Sequence, residues 1–179
     1  MKKQQRQFLV LIVVLVLLVG GYVGIKVYNA HEEAQREEEQ KVMLFDLDTD
    51  DITAISYVYN TQTYHFVKSG GFWKCADFPD WVIEQSKLKA MAESMAQLES
   101  KGEVVNPTNL GDYGLETPQR MIGFTTEDGE SHTIYVGDYN VTSDIYYIYI
   151  DDPAEVHAIY YKILHNFNYA DTELRVVSE

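Results

Sequence analysis

Residues 52–75 read ITAISYVYNTQTYHFVKSGGFWKC, and this stretch decides the fold of the protein. Asn60-Thr61-Gln62 and Ser69-Gly70-Gly71 are turn-forming segments that divide it into three parts. The three parts are rich in β-branched and aromatic side chains, which is typical of strands. We therefore predict three strands, 52–59, 63–68 and 72–75.

An amphipathic helix is predicted after this meander. Apolar side chains recur there at the spacing of one buried helical face, namely Leu88, Met91, Ala92, Met95 and Leu98. Gly102 is the predicted stop signal. A stripe of this kind is typical of a core-facing helix rather than of a cofactor pocket.

A second cycle of strands follows the helix. Glu127-Asp128-Gly129 is a hairpin turn, with a glycine available for positive φ. The strands predicted around and after it are 120–125, 131–136 and 144–150. The pattern predicts an α+β domain made of two divergent β-β-β-α-like repeats, with antiparallel sheets and packed helices.

The end of the second cycle has two interpretations. Asp152-Pro153-Ala154-Glu155 has the form of a capping box with proline at the first helical position, and apolar residues keep helical spacing over 156–167. The alternative is a turn at Asp152-Pro153, a strand near 156–159 and a helix from about Tyr160.

A transmembrane helix is predicted at 7–25, because no charged residue lies between Arg6 and Lys26. As a helix this run is about 28 Å long, close to the ~30 Å hydrocarbon core of a bilayer. A cleaved signal peptide is the competing interpretation, but its apolar region is normally shorter and ends in a small-x-small site. The run is therefore predicted to be a lasting anchor.

Positive charge predicts the orientation of this anchor. Lys2, Lys3 and Arg6 precede it, whereas Lys26 alone closely follows it. Because basic residues stay in the cytoplasm, we expect the N-terminus inside and the domain outside. The predicted order is a cytoplasmic N-terminus at 1–6, the transmembrane helix at 7–25, a charged helical stalk at 26–42 and an extracytoplasmic α+β domain at 43–179.

The predicted domain is strongly acidic. Val42–Glu179 carries 8 Lys and Arg against 23 Asp and Glu, a net formal charge of −15. Such a charge disfavours nucleic acid and anionic lipid surfaces as partners. Cys75 is the one cysteine, which excludes an intramolecular disulfide and a cysteine-based metal site, and we expect it to be a small strand residue.

One motif lies between the two cycles, Leu110-Gly111-Asp112-Tyr113-Gly114-Leu115-Glu116-Thr117-Pro118. Together with Tyr135-Val136-Gly137-Asp138 and Tyr146-Tyr147, it resembles an uncharacterised bacterial family catalogued as domain of unknown function 4340. The resemblance covers roughly residues 44–170. It implies a membrane-anchored, extracytoplasmic protein, often encoded beside ABC-transporter subunits.

The resemblance also limits what is expected of the site. The family pattern contains no catalytic residues, so none are assigned here. It favours the strand interpretation for 156–159. Physically, Gly114 is expected where the chain needs positive φ or a close approach, and Pro118 where it enters the next strand.

The sequence carries no complete chemical motif. Asp46-Leu47-Asp48-Thr49-Asp50-Asp51 resembles the start of a Ca²⁺ loop, but its sixth position is Asp51 rather than glycine and its twelfth is Tyr57. We expect a solvated acidic lead-in instead. The histidines lack ligand spacing, these being His31, His65, His132, His157 and His165. No catalytic, cofactor or metal residue is assigned.

Tyrosines are the unusual feature of the predicted strand at 144–150. Tyr147 and Tyr149 point to one face with Ile145, and Tyr146 points to the other with Ile148 and Ile150. The strand is therefore either central or part of an aromatic patch for a partner. The candidate partner-binding residues are Tyr146, Tyr147 and Tyr149.

These observations favour a non-enzymatic accessory or interaction protein on the outer membrane face. Its expected partners are the lipid bilayer, through the N-terminal helix, and a membrane protein, with an ABC-type transporter complex as the candidate. No cofactor is expected. The alternative is a cell-envelope hydrolase that uses paired carboxylates. A ligand sensor is a third hypothesis.

Overall fold

The structure, a computed structural model, describes residues 15, 17–29 and 42–176. Residues 17–29 are helical and belong to a different unit from the domain, which occupies Lys41–Glu179. Within the described residues, no helix combines the length and apolar character needed to span a bilayer. The rest of the predicted anchor and most of the predicted stalk lie outside them, at 7–14, 16 and 30–41.

The described part of the domain contains ten strands and two α-helices. The strands are β1 Val42–Met43, β2 Ile52–Tyr59, β3 Gln62–Ser69, β4 Phe72–Cys75, β5 Glu99–Ser100, β6 Gly102–Val105, β7 Arg120–Thr126, β8 Ser131–Asn140, β9 Ile145–Ile150 and β10 Asp152–Tyr160. The helices are α1 Gln85–Ala96 and α2 Asp171–Leu174, and 3₁₀ turns occur at Thr49–Asp51, Leu110–Tyr113 and Tyr161–Phe167.

Eight of these strands form one antiparallel sheet in the order β4-β3-β2-β7-β8-β9-β10-β6. The two predicted meanders, β2-β3-β4 and β7-β8-β9, are both present. They meet where β2 pairs with β7, with Ile55 opposite Phe124. The predicted α+β class with antiparallel sheet is therefore confirmed, and the meanders share a single sheet.

The predicted helix is α1, and it covers one face of the sheet. Its apolar stripe is fully buried, at Leu88, Met91, Ala92, Met95 and Ala96. The predicted stop at Gly102 is wrong, since α1 ends at Ala96 and Gly102 begins β6. Tertiary pairing ends the helix early, because the Leu98 carbonyl accepts hydrogen bonds from the amides of Leu44 and Phe45.

The ambiguous segment is a strand, which confirms the interpretation that the family resemblance favours, and the long helix that local rules favour does not form. β10 runs from Asp152 to Tyr160 and pairs with β9 on one side and β6 on the other. The Asp152 side chain accepts a 2.9 Å bond from the Ala154 amide, which is a turn contact rather than a helix cap. Two-sided pairing satisfies the backbone and outweighs the capping signal. A 3₁₀ segment, Tyr161–Phe167, then stands where the second repeat was predicted to have its α-helix.

The chain enters the domain at the C-terminal end of α1. β1 pairs with β5, and the Leu47 amide donates to the Ala96 carbonyl at 2.9 Å. Phe45 then packs edge-on against Phe124, with ring centroids 4.9 Å apart. The entry segment is thus fastened to both α1 and the sheet.

Candidate interaction surface: the open face of the sheet

The two faces of the sheet differ in what covers them. Side chains alternate between faces along each strand. The inner face carries the core residues Ile55, Phe66, Ile122 and Ile148 and is covered by α1 and the Tyr161–Phe167 segment. Their strand neighbours point to the outer face, on which no described α-helix lies.

The family motif covers one end of this outer face. Leu115 is buried there, and the ring of Tyr113 meets that of Tyr147 edge-on with centroids 5.1 Å apart. Gly114 has φ +68, and a Cβ at this position would lie 2.4 Å from the Asp138 side chain. The predicted need for positive φ and close approach at Gly114 is therefore confirmed, and the motif acts here as packing.

The remainder of the outer face is uncovered by any described segment, and we call its central part the open face. The open face comprises Ala54, Ser56, Val67, Met121, Gly123, Thr125, Thr133, Tyr135 and Tyr149. The register aligns these nine residues across five strands, from Val67 opposite Ala54 to Tyr135 opposite Tyr149. His65, Lys74 and Ser131 adjoin the open face on the same side of the sheet, opposite Ser56, Val67 and Thr125. A shallow groove of about 270 Å³ runs over the small residues of the open face.

Apolar and aromatic groups lie beside this groove, whose lining also includes the polar side chains of His65 and Ser131. Val67 is 42% exposed on one side and Met121 is 37% exposed on the other. Tyr135 and Tyr149 stack on each other across β8 and β9, with centroids 4.5 Å apart and an interplanar angle of 20°. Burial, with a smaller effect from Tyr135, raises the pKa of Tyr149. The pair forms a half-buried aromatic ridge.

The structure separates the three candidate tyrosines. Tyr146 is on the inner face, packed against the core beside Tyr139. Tyr147 is on the outer face but lies against Tyr113, with its hydroxyl accepting a bond from Asn140. Tyr149 alone of the three lies on the open face. Its partner Tyr135 was missed, because only the strand register reveals that pairing.

Each meander contains a histidine whose ring contacts an aspartate that follows the last strand of that meander. Asp77, just after β4, accepts bonds from the amide of His65 at 3.0 Å and from its ring Nδ1 at 3.0 Å. Asp151, just after β9, contacts Nδ1 of His132 at 2.9 Å and accepts from the Thr133 amide at 2.7 Å. Among the described residues, neither ring is hydrogen bonded to a Ser, Thr or Cys side chain. These contacts therefore link the segment after the last strand of each meander to a neighbouring strand of the same meander.

The remaining histidines lie apart from each other. His157 is buried on the inner face, 3.8 Å from the Glu155 carboxylate, and His165 packs edge-on against Tyr161. His31 lies outside the described residues. In the part of the chain that the structure describes, no three His, Cys, Asp or Glu side chains are arranged to hold a metal ion.

The acidic lead-in has a local structural role. Asp48 accepts a bond from the Asp50 amide at 2.9 Å and caps the 3₁₀ turn Thr49–Asp51. The ammonium of Lys68 lies 2.7 Å from Asp50 and holds the pKa of that carboxyl below its usual range. Two of these carboxylates are thus engaged by the protein itself. Cys75 is a strand residue, as predicted, and its side chain is buried.

Comparison with known proteins gives one result for this chain. A family model described as a domain of unknown function (DUF4340) matches residues 73–175, more than half of the 179 residues. The matched region includes α1, the Tyr113–Pro118 motif and β7 to β10. No curated protein and no solved structure matches the chain.

Proposed function

This chain belongs to the family described as a domain of unknown function (DUF4340), and we propose that it is a non-enzymatic, membrane-anchored interaction protein. Its domain lies on the extracytoplasmic side of the membrane and binds a neighbouring membrane protein through the open face. An ABC-type transporter complex is the candidate partner, on the strength of the sequence resemblance to this family.

The composition of the open face carries this proposal. None of its nine residues is Asp, Glu, Lys or Arg, although the domain carries 23 acidic residues. The nearest ionisable side chains on this face are Lys74 and His65, which lie at its β4 and β3 margin. A solvated sheet face normally alternates polar residues outward. Interface cores are instead depleted in charge and enriched in tyrosine and methionine. The Tyr135–Tyr149 ridge, with Met121 and Val67, fits an interface better than a solvated face.

The sequence of the N-terminal region supports the anchor and the orientation. Residues 7–25 contain no charge, and Lys2, Lys3 and Arg6 precede them. Two proteins tethered to one membrane meet at a high effective concentration. A shallow face with few contact residues therefore suffices for a specific complex between tethered partners. The same face would give only weak binding between two proteins free in solution.

Site-specific photocrosslinking in living cells tests the proposal. A photoreactive amino acid at Met121 or Val67 is expected to yield one discrete crosslinked product in the membrane fraction. Lys89 is the matched control, because it is exposed on α1, which covers the opposite face of the sheet. Equal products from all three positions, or no product from Met121 and Val67, would contradict a partner on the open face.

A further inference from the structure

A second aromatic surface lies at the N-terminal end of α1, far from the tyrosine ridge. Phe78 and Trp81 stack with centroids 4.4 Å apart and an interplanar angle of 11°. The guanidinium of Arg175 lies over the Trp81 ring at 4.9 Å. We call Phe78, Trp81, Val82, Arg175 and Val176 the Trp81 patch.

Three apolar side chains of this patch are exposed. Phe78 is 40% exposed, Val82 is 66% exposed and Val176 is 48% exposed. Trp, Phe and Arg are enriched at protein interfaces, and Trp and Arg are frequent among the residues that carry most of the binding energy. A surface cluster of Phe, Trp and Arg side chains is therefore typical of a binding site.

Backbone hydrogen bonds join the two segments that carry the patch. Ile83 and Arg175 form an antiparallel bridge, the Val176 amide donates to the Val82 carbonyl at 2.8 Å, and both Ile83 and Leu174 are buried. A rigid surface loses little conformational entropy when it binds. The Trp81 patch is thus organised before any partner arrives.

The charges around the patch are predominantly negative. Acidic residues of its two segments and their flanks are Asp77, Asp80, Glu84, Asp171 and Glu173, against two cations, Lys87 and Arg175. Of the carboxylates, Asp77 holds His65 and Glu173 accepts from the Ala170 amide at 3.0 Å. Both cations are already engaged, since Arg175 lies on Trp81 and the Lys87 ammonium lies over the Tyr169 ring and donates to the Glu173 carbonyl. Charge complementarity therefore favours a basic partner.

The charge around the patch favours a protein rather than an anionic bilayer surface. Net negative surroundings oppose adhesion to anionic lipid, which requires clustered lysine and arginine.

Strand addition at the neighbouring edge is disfavoured as the binding mode. β4 is an edge strand, but the Gln85 side chain bonds both its Trp73 amide, at 2.8 Å, and its Trp73 carbonyl, at 2.9 Å. The edge is thereby blocked at its centre. Binding at this corner therefore uses side chains.

We propose that the Trp81 patch is a second docking site, which binds a protein segment carrying an apolar side chain flanked by lysine or arginine. The apolar side chain packs on Phe78 and Trp81, and the basic groups pair with the surrounding carboxylates. This site is separate from the open face, so its failure would leave the proposed function untouched.

Selection from a displayed library of random peptides tests the chemistry of this site with the full-length chain as bait. Peptides that bind the wild type are expected to combine an apolar residue with two or more basic residues. Their affinity should fall about tenfold in Phe78→Ser and in Val82→Ser, as for the loss of an interface anchor. Phe72→Ser is the matched control, because Phe72 is 64% exposed but lies outside the patch.

Three outcomes would overturn the proposal. The first is a selection with no excess of basic residues, and the second is binding that is the same in Phe78→Ser as in the wild type.

The third outcome concerns lipid. In Trp73→Phe, where Trp81 is the one remaining tryptophan, its fluorescence in nanodiscs should be the same with brominated and ordinary phosphatidylcholine, and quenching by bromine would place the patch on the membrane.

Discussion

Gly137 lies directly beneath Tyr113, so closely that a Cβ on Gly137 would stand 2.2 Å from the Tyr113 carbonyl oxygen and 2.8 Å from Cγ of Leu115. Two of the three short motifs that carry the family resemblance, Leu110–Pro118 and Tyr135–Asp138, are therefore parts of one packing unit. They seal one end of the outer face, and the open face begins beside them.

Gly137→Ala should destabilise the domain by about 3 kcal/mol, because the new methyl group overlaps backbone that cannot move without unseating Leu115. Urea unfolding measures this loss. Gly102→Ala is the matched control, since Gly102 is also in a strand and a methyl group added there would have no other atom within 4 Å. That variant should be unchanged or slightly more stable. Equal effects at both glycines would contradict the packing role.

Gln85→Ala should cost about 2 kcal/mol, because it leaves the Trp73 amide and carbonyl without the partners that Gln85 gives them. It should also promote self-association through the exposed edge of β4. Urea unfolding and analytical ultracentrifugation measure the two effects. Gln119→Ala, which removes one local bond to the Thr117 carbonyl, should change neither. A monomeric Gln85→Ala chain would show that the edge needs no such cover.

The stability of the domain should fall as the pH drops below about 7, in part because of His157. Burial lowers the pKa of His157 below the reference value of 6.5, against the opposite effects of Glu155 and Glu103. The unfolded chain therefore takes up the proton first, and stability that is complete above pH 6.5 is lost towards the lower pKa of the folded state.

His157→Leu removes this titration. Urea unfolding at pH 7.5 and pH 5.5 should show a smaller loss in the variant than in the wild type, over a range where most carboxylates stay ionised. Identical losses in the two proteins would mean that His157 titrates alike in the folded and unfolded states.

Tyr146 and Tyr149 should respond differently to substitution, because they lie on opposite faces. Tyr146→Ser should cost about 2 kcal/mol of stability, since Tyr146 packs against the core. Tyr149→Ser should leave the fold intact and abolish most of the photocrosslinking from Met121. Urea unfolding and crosslink yield separate the two effects. Undiminished crosslinking in Tyr149→Ser would show that the Tyr135–Tyr149 ridge is not part of the binding interface.

The strands and the helix of this domain were predictable because their patterns are local. Alternation and turn residues predict β2, β3 and β4, and helical spacing predicts α1. β1, β5 and β6 were not predicted, because each is short and forms only by pairing with a strand distant in sequence. The same cause explains β10, where pairing on both sides outweighs a good local capping signal.

The candidate surfaces were less predictable than the fold. Tyr149 was identified from its strand. Its stacking on Tyr135 depends on how β8 and β9 pair, which the local sequence does not reveal. The Trp81 patch joins the segment just before α1 to the segment that follows α2, through the bridge between Ile83 and Arg175. Neither juxtaposition has a local signature.

Cysteine accessibility in intact cells tests the central claim most directly, since Cys75 is buried and gives little background. Val67→Cys places a thiol on the open face, and Lys89→Cys places one on the exposed side of α1. With an impermeant maleimide, Lys89→Cys should label on intact cells and Val67→Cys should be strongly protected, whereas both should label alike in the purified chain. Labelling of Lys89→Cys only after lysis, or equal labelling of both on cells, would contradict the account.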